Sequence, residues 1–177
     1  INSNKRLHVM TIEDPIEFTH SHKKSIVNQR EVGTDCESFS TALRQVLRED
    51  PDVIMVGEMR DQDTAESALK AAETGHLVFS TLHTNGAVNS MNRIVQMFSN
   101  DQQEYVLSLL SFSLEAIVSQ CLLETTDGKR VMAYEFLSMT PAIRNLVRTN
   151  KLHQVYGQMQ MGQEQSIDLE VTNQQTY

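Results

Sequence analysis

PDVIMVGEMRD, residues 51–61, sets four consecutive apolar residues, Val53 to Val56, between a proline break and an abrupt Gly-Glu-Met-Arg-Asp. A short apolar run rich in β-branched side chains and bounded by turn formers predicts a strand buried on both faces, the kind found in parallel sheets. The run ends on an acid, Glu58, one residue past Gly57. Asp61 and Asp63 are expected to serve the start of the next helix, which leaves Glu58 with no capping duty.

Working outward, Phe39, Ala42, Leu43, Val46 and Leu47 recur at spacings of three and four before the break at Asp50-Pro51, predicting a helix that begins at Ser38. Downstream, Ala65, Ala68, Leu69 and Ala72 repeat that spacing. Asp63 and Glu66 are placed as an N-terminal capping pair, and Gly75 as the stop. HLVFSTLH, residues 76–83, predicts a strand with a Leu77–Phe79 core and a polar exit at Thr81 and His83; Val88, Met91, Ile94, Val95 and Phe98 mark the next helix. Upstream, LHVMTI, residues 7–12, is a strand stopped by Glu13-Asp14-Pro15, where proline removes a backbone donor. IEFTH and SIVNQREV, flanking the polar loop from His20 to Lys24, suggest a two-stranded excursion. The opening INSNKRLHVM reads as a helix end, a turn and the start of a strand, the pattern expected of a chain that continues upstream. Strands alternating with helices through short links predict a parallel α/β sheet covered on both faces.

The pattern changes near residue 100. A helix is expected from about Asp101 to Val118, with Val106, Leu109, Leu110, Ser113 and Ile117 on one face, then a short hairpin around Asp127-Gly128 and helices over 141–149 and 152–161. The chain is therefore divided into an α/β core at 1–100, a mostly helical subdomain with a short hairpin at 101–165, and a Gln-rich tail at 166–177 expected to be mobile.

A net charge of -8, from 15 Lys+Arg against 23 Asp+Glu, opposes direct contact with nucleic acid or anionic lipid. The two cysteines, Cys36 and Cys121, build no disulfide framework, which points to a reducing cytoplasm. No apolar run approaches the ~20 residues that span a bilayer, so a membrane association would go through a partner.

Ligands of doubly wound sheets bind beyond the carboxyl ends of the strands. Three strands here carry polar groups at that end: Glu13, Asp14 and Glu17 after the first, Glu58, Arg60 and Asp61 after the second, Thr81 and His83 after the third. Carboxylates there can hold a hydrated divalent cation or orient a water, and a histidine donor can meet a phosphate oxygen without adding negative charge. These are the needs of nucleoside triphosphate hydrolysis. The blander readings are a solvated cap for each acid and a satisfied buried histidine for His83. His20-Ser21-His22 reads as a solvated hairpin tip, and the methionines as core. The phosphate cradle G-x-x-x-x-G-K-[ST] does not occur among the seven glycines.

LREDPDVIMVGEMRD, residues 47–61, resembles the Walker B signature of the ATPases of type II secretion and type IV pili. TIEDPIEF, residues 11–18, is similar to their acidic box, and GHLVFSTLHTN, residues 75–85, to their histidine box. The resemblance covers residues 1 to about 162. It implies a RecA-like P-loop ATPase core truncated at its N-terminus, using ATP and Mg2+, whose phosphate loop lies upstream. One cysteine after the histidine box excludes a four-cysteine zinc module, and PAIRNLVRTN, residues 141–150, resembles an element of the pilus retraction motors of twitching motility, with Thr149 where that element has Glu.

On the matching positions the resemblance implies that Glu13 orients or deprotonates the attacking water. Glu58, with Asp14 or Glu17 through water, would hold the Mg2+ shell, and His83 would sense the γ-phosphate. Thr81 falls among the nucleotide-binding positions, and Arg60, like Arg44 and Arg48, is a candidate for ion pairs or contacts across subunits. Which of Glu13 and Glu58 is the base stays open. The family works as a homohexamer at the inner face of the cytoplasmic membrane, against an inner-membrane pilus platform protein. Alternatives are a secretion or DNA-transfer ATPase of the same superfamily, or a module that by itself docks without turning over ATP.

Overall fold

The computed structural model describes residues 1–161. These form two compact units that divide at 82/83, whereas the sequence suggests a change near 100. The tail expected at 166–177 lies outside the described residues.

The first unit is a four-stranded parallel sheet of β1 (His8–Glu13), β2 (Ile26–Glu31), β3 (Val53–Val56) and β4 (Leu77–Ser80), in the order β2-β1-β3-β4. Helices α1 (Phe39–Val46) and α2 (Gln62–Glu73) cross between strands. Alternation along a strand sends Met10, Ile12, Ile54 and Val56 to one face. There they join Phe39, Ala42, Leu43 and Val46 of α1 and Ala68 and Ala71 of α2 in one buried cluster. Each fully buried aliphatic side chain is worth about 1.5–3 kcal/mol, so this cluster is the main source of the unit's stability.

Within this unit both helices lie on that single face. The consequence shows at β4, the outer strand. Only Val78 turns toward the cluster, while Leu77 and Phe79, expected in the core, are 45% and 48% exposed. IEFTH forms no strand, and β2 pairs parallel with β1 instead of closing a hairpin.

Capping is local where the sequence allows it. Ser38 accepts from Thr41 N at the start of α1. At α2 the cap is Asp61, which accepts from Thr64 N at 2.8 Å; Asp63 sits in the first turn rather than at the cap.

The second unit holds α3 (Ala87–Gln96), α4 (Gln103–Ser113), strands β5 (Ala116–Glu124) and β6 (Arg130–Ser138), α5 (Pro141–Arg148), a 3-10 turn at Leu152–Gln154 and α6 (Val155–Met161). The hairpin is longer than expected, with nine residues in each strand. It takes Ile117 out of the expected helix and pairs it with Leu137. Cross-strand pairing there outweighs the helical spacing, and α4 stops at Ser113. The hairpin also caps α3, which has no capping side chain of its own: Ser119 Oγ accepts from Gly86 N at 2.7 Å and Glu135 Oε1 from Ala87 N at 2.6 Å.

Arg144 of α5 closes the other end of α4. Its guanidinium donates to the carbonyls of Ser111, Phe112 and Met139 and to Glu115 Oε1, all at 3.0–3.1 Å. Unpaired carbonyls and the negative end of a helix both favour such a cation.

Candidate functional site

In the first unit the strand register sets the site. Ile12 pairs with Val56, and Gly57 N donates to Ile12 O at 2.8 Å, so β1 and β3 reach their carboxyl ends side by side. A Cβ at position 57 would lie 3.1 Å from Ile12 O and 3.3 Å from the Cα of Glu13. Gly57 is required by this approach rather than by its backbone angles. It lets the chain leave β3 against the end of β1 and puts Glu58 at that edge.

Glu13 is the buried acid of the group, at 8% exposure. Its Oε1 accepts from the Thr11 hydroxyl at 2.6 Å and from Gln29 Nε2 at 3.0 Å. Burying a carboxylate is costly without such donors. Glu58 is partly buried, and its Oε2 accepts from Arg60 Nε at 2.6 Å. The same guanidinium reaches Asp14 Oδ2 at 3.5 Å, so one cation stands between the acids that end β1 and β3. Thr81 closes the third side: its hydroxyl donates to Gly57 O, and its carbonyl accepts from Met59 N at 3.1 Å.

Of the residues expected at the site, Glu13, Asp14, Glu58, Arg60 and Thr81 thus converge on one edge of the sheet. Glu17 is exposed and makes no hydrogen bond or ion pair among the described residues. His83 is the first residue of the second unit and is exposed in a bend there. Sequence reasoning passed over Thr11 and Gln29. The available signal was the period of two that sets Thr11 and Glu13, and Gln29 and Glu31, on one face of neighbouring strands.

Among the described residues no cluster of three or more His, Cys, Asp or Glu could hold a metal by itself. The adjacent carboxylates fit Mg2+, which usually keeps several waters and takes one or two protein carboxylates plus phosphate oxygens.

The model of the type II/IV secretion system protein family matches residues 1–175. The chain is 53% identical to the type IV pilus retraction ATPase PilT of Pseudomonas aeruginosa over 162 residues, covering 92% of this chain and 47% of that protein. It is 55% identical to a twitching motility protein of Neisseria gonorrhoeae over 164 residues, covering 92% and 44%. Among solved structures it superposes on the pilus retraction motor PilT with bound ADP at a TM-score of 0.86 and 58% identity, covering 96% of this chain and 52% of that one. The chain therefore spans about half the length of the relatives it matches. With nearly its whole length inside the family model and more than half of the aligned residues identical in those relatives, this chain belongs to the type II/IV secretion system protein family.

Proposed function

We propose that this chain supplies the catalytic acids of a homohexameric motor ATPase that retracts type IV pili. In this reading the motor hydrolyses ATP with Mg2+ at the inner face of the cytoplasmic membrane and pulls on an inner-membrane platform protein. The observation that carries the proposal is the side-by-side ending of β1 and β3, which sets Glu13 and the Arg60-bound Glu58 on one edge. The names of the relatives give the biological setting.

The two acids differ in environment, and this divides their roles. Glu13 is buried and held through one oxygen, the arrangement suited to orienting and deprotonating a water. Glu58 and Asp14, bridged by Arg60, are more open and suit the water shell of the cation. Mg2+, when bound, supplies Lewis-acid stabilisation of phosphate charge. Glu17 supports that shell from the acidic-box loop, Thr81 holds the chain leaving β3 in place, and the resemblance of residues 75–85 to the histidine box assigns His83 the sensing of the terminal phosphate.

The phosphate loop is not among these 177 residues, so turnover is proposed for a chain that also carries one. By themselves the residues described here bind MgATP weakly or not at all. In the full-length protein, Glu58→Gln lowers hydrolysis by at least ~100-fold while the fold persists. Undiminished phosphate release by the purified variant would refute the reading.

A further inference from the structure

Thr11 and Gln29 have no part in the roles just assigned, yet both aim a donor at the same oxygen of Glu13. The hydroxyl lies 2.6 Å and the amide nitrogen 3.0 Å from Oε1. Oε2 accepts no hydrogen bond among the described residues. Glu13 is thus a buried carboxylate anchored through one oxygen with the other left for a reacting group.

Gln29 is itself held on three sides. Its Nε2 also donates to Phe18 O at 2.9 Å, and its Oε1 accepts from His20 N at 2.7 Å. These partners determine the amide's orientation, because a backbone N–H requires the oxygen while a carbonyl and a carboxylate require the nitrogen. Two residues along β2, Glu31 Oε2 accepts from Ile16 N at 3.0 Å. The side chains of β2 therefore bind the loop that follows Glu13 and, through Gln29, Glu13 itself.

We propose that Gln29, together with Thr11, is a positioning residue for the hydrolytic reaction: the two donors lock Glu13 by Oε1 so that Oε2 faces the attacking water. The inference rests on reading Glu13 as the residue that acts on that water. A carboxylate held by two donors loses the rotation that would take Oε2 off line. Misplacement of a reacting group by even an ångström is expensive in rate. A purely structural tether of the loop would behave differently, since loosening Asp14 and Glu17 would weaken MgATP binding and leave the rate at saturation alone.

The test is steady-state ATP hydrolysis by the full-length protein with Gln29→Met, Thr11→Val and Thr11→Ser. Gln29→Met and Thr11→Val preserve size and remove a donor; each is expected to lower kcat about tenfold, with KM for MgATP within about twofold in Thr11→Val and raised in Gln29→Met, which also frees Phe18 O and His20 N of the loop. Thr11→Ser keeps the hydroxyl and is expected to keep the parental kcat. Parental kcat in Gln29→Met, an effect confined to KM, or equal losses in Thr11→Ser and Thr11→Val would each overturn the proposal. If Gln29→Met does not fold, Gln29→Glu serves in its place. It keeps the size, replaces the donor by an acceptor facing Glu13, and carries the same expectation and the same refutation. Glu13→Gln separates the two levels of the argument. An inactive Glu13→Gln beside a fully active Gln29→Met removes the clamp and leaves the role of Glu13 standing, whereas a fully active Glu13→Gln removes both.

Discussion

Arg60 donates its Nε to Glu58 Oε2 at 2.6 Å, so the acid that ends the buried strand β3 is ion-paired with a cation from its own loop. The same side chain, 57% exposed, stands 3.5 Å from Asp14. An exposed pair of this kind adds little to folding, and Arg60→Ala is expected to change the unfolding free energy by less than about 1 kcal/mol. Its effect on the cation is larger. With the guanidinium gone, two neighbouring carboxylates lose their compensating charge, and the Mg2+ concentration giving half-maximal hydrolysis in the full-length protein falls about threefold or more. An unchanged Mg2+ midpoint would count against Glu58 in the metal shell.

Gly57 tests the approach of the two strand ends. A methyl group there meets backbone, Ile12 O at 3.1 Å and Glu13 Cα at 3.3 Å, and neither can rotate away. Gly57→Ala is expected to destabilise the chain by about 1–3 kcal/mol and Gly57→Val by more, because overpacking forces β1 and β3 apart. Urea unfolding measures the first effect. Hydrolysis by the full-length protein should fall with it, and a neutral Gly57→Ala would show that the edge tolerates separation.

Arg144 lies in the stretch that resembles the element of the retraction motors, yet its guanidinium is spent on α4 and the hairpin. Arg144→Ala is expected to cost about 2 kcal/mol in thermal or denaturant unfolding, since it leaves helix-end carbonyls without their charged donor. Arg144→Lys recovers only part, because an ammonium cannot reproduce the planar fork. A variant with full stability and lost motility would point instead to a contact with another molecule.

The two cysteines should differ in reactivity. Cys121 is exposed on β5, while Cys36 is partly buried, its Sγ–H lies 3.6 Å from Glu31 O, and desolvation raises its thiol above the ordinary value, with Arg30 opposing. A raised pKa means less thiolate at any given pH, and the thiolate is the nucleophile. Iodoacetamide at pH 8 is therefore expected to label Cys121 first, and the lag of Cys36 to narrow as pH rises. Peptide mass mapping of timed samples checks the order; simultaneous labelling would contradict it.

Much of this architecture can be read from residue order, because it depends on local periodicity. The face of α1, the Ala65–Ala68–Leu69 part of the face of α2 (which continues through Ala71 rather than the expected Ala72), the strand Val53–Val56 and the break at Pro51 follow from spacing and turn chemistry alone. So does the convergence of Glu13, Glu58 and Thr81, since the ends of parallel strands share one edge whatever the details of packing. Other features depend on partners distant in sequence. Helical spacing continues past Ser113, and only the pairing of Ile117 with Leu137 turns that stretch into β5. The N-terminus of α3 carries no capping side chain and takes its acceptors from Ser119 and Glu135 of the hairpin. The helices of the first unit share one face, which leaves Leu77 and Phe79 outside the core despite their apolar character. The clamp on Glu13 is of the same kind. Its nearer donor sits two residues away on β1, but the other comes from β2, and only the parallel register Thr11 to Gln29 brings that amide to the carboxylate. Residue order by itself determined which side chains could do chemistry; tertiary structure decided how they are held, because the holding groups are neighbours across strands rather than along the chain.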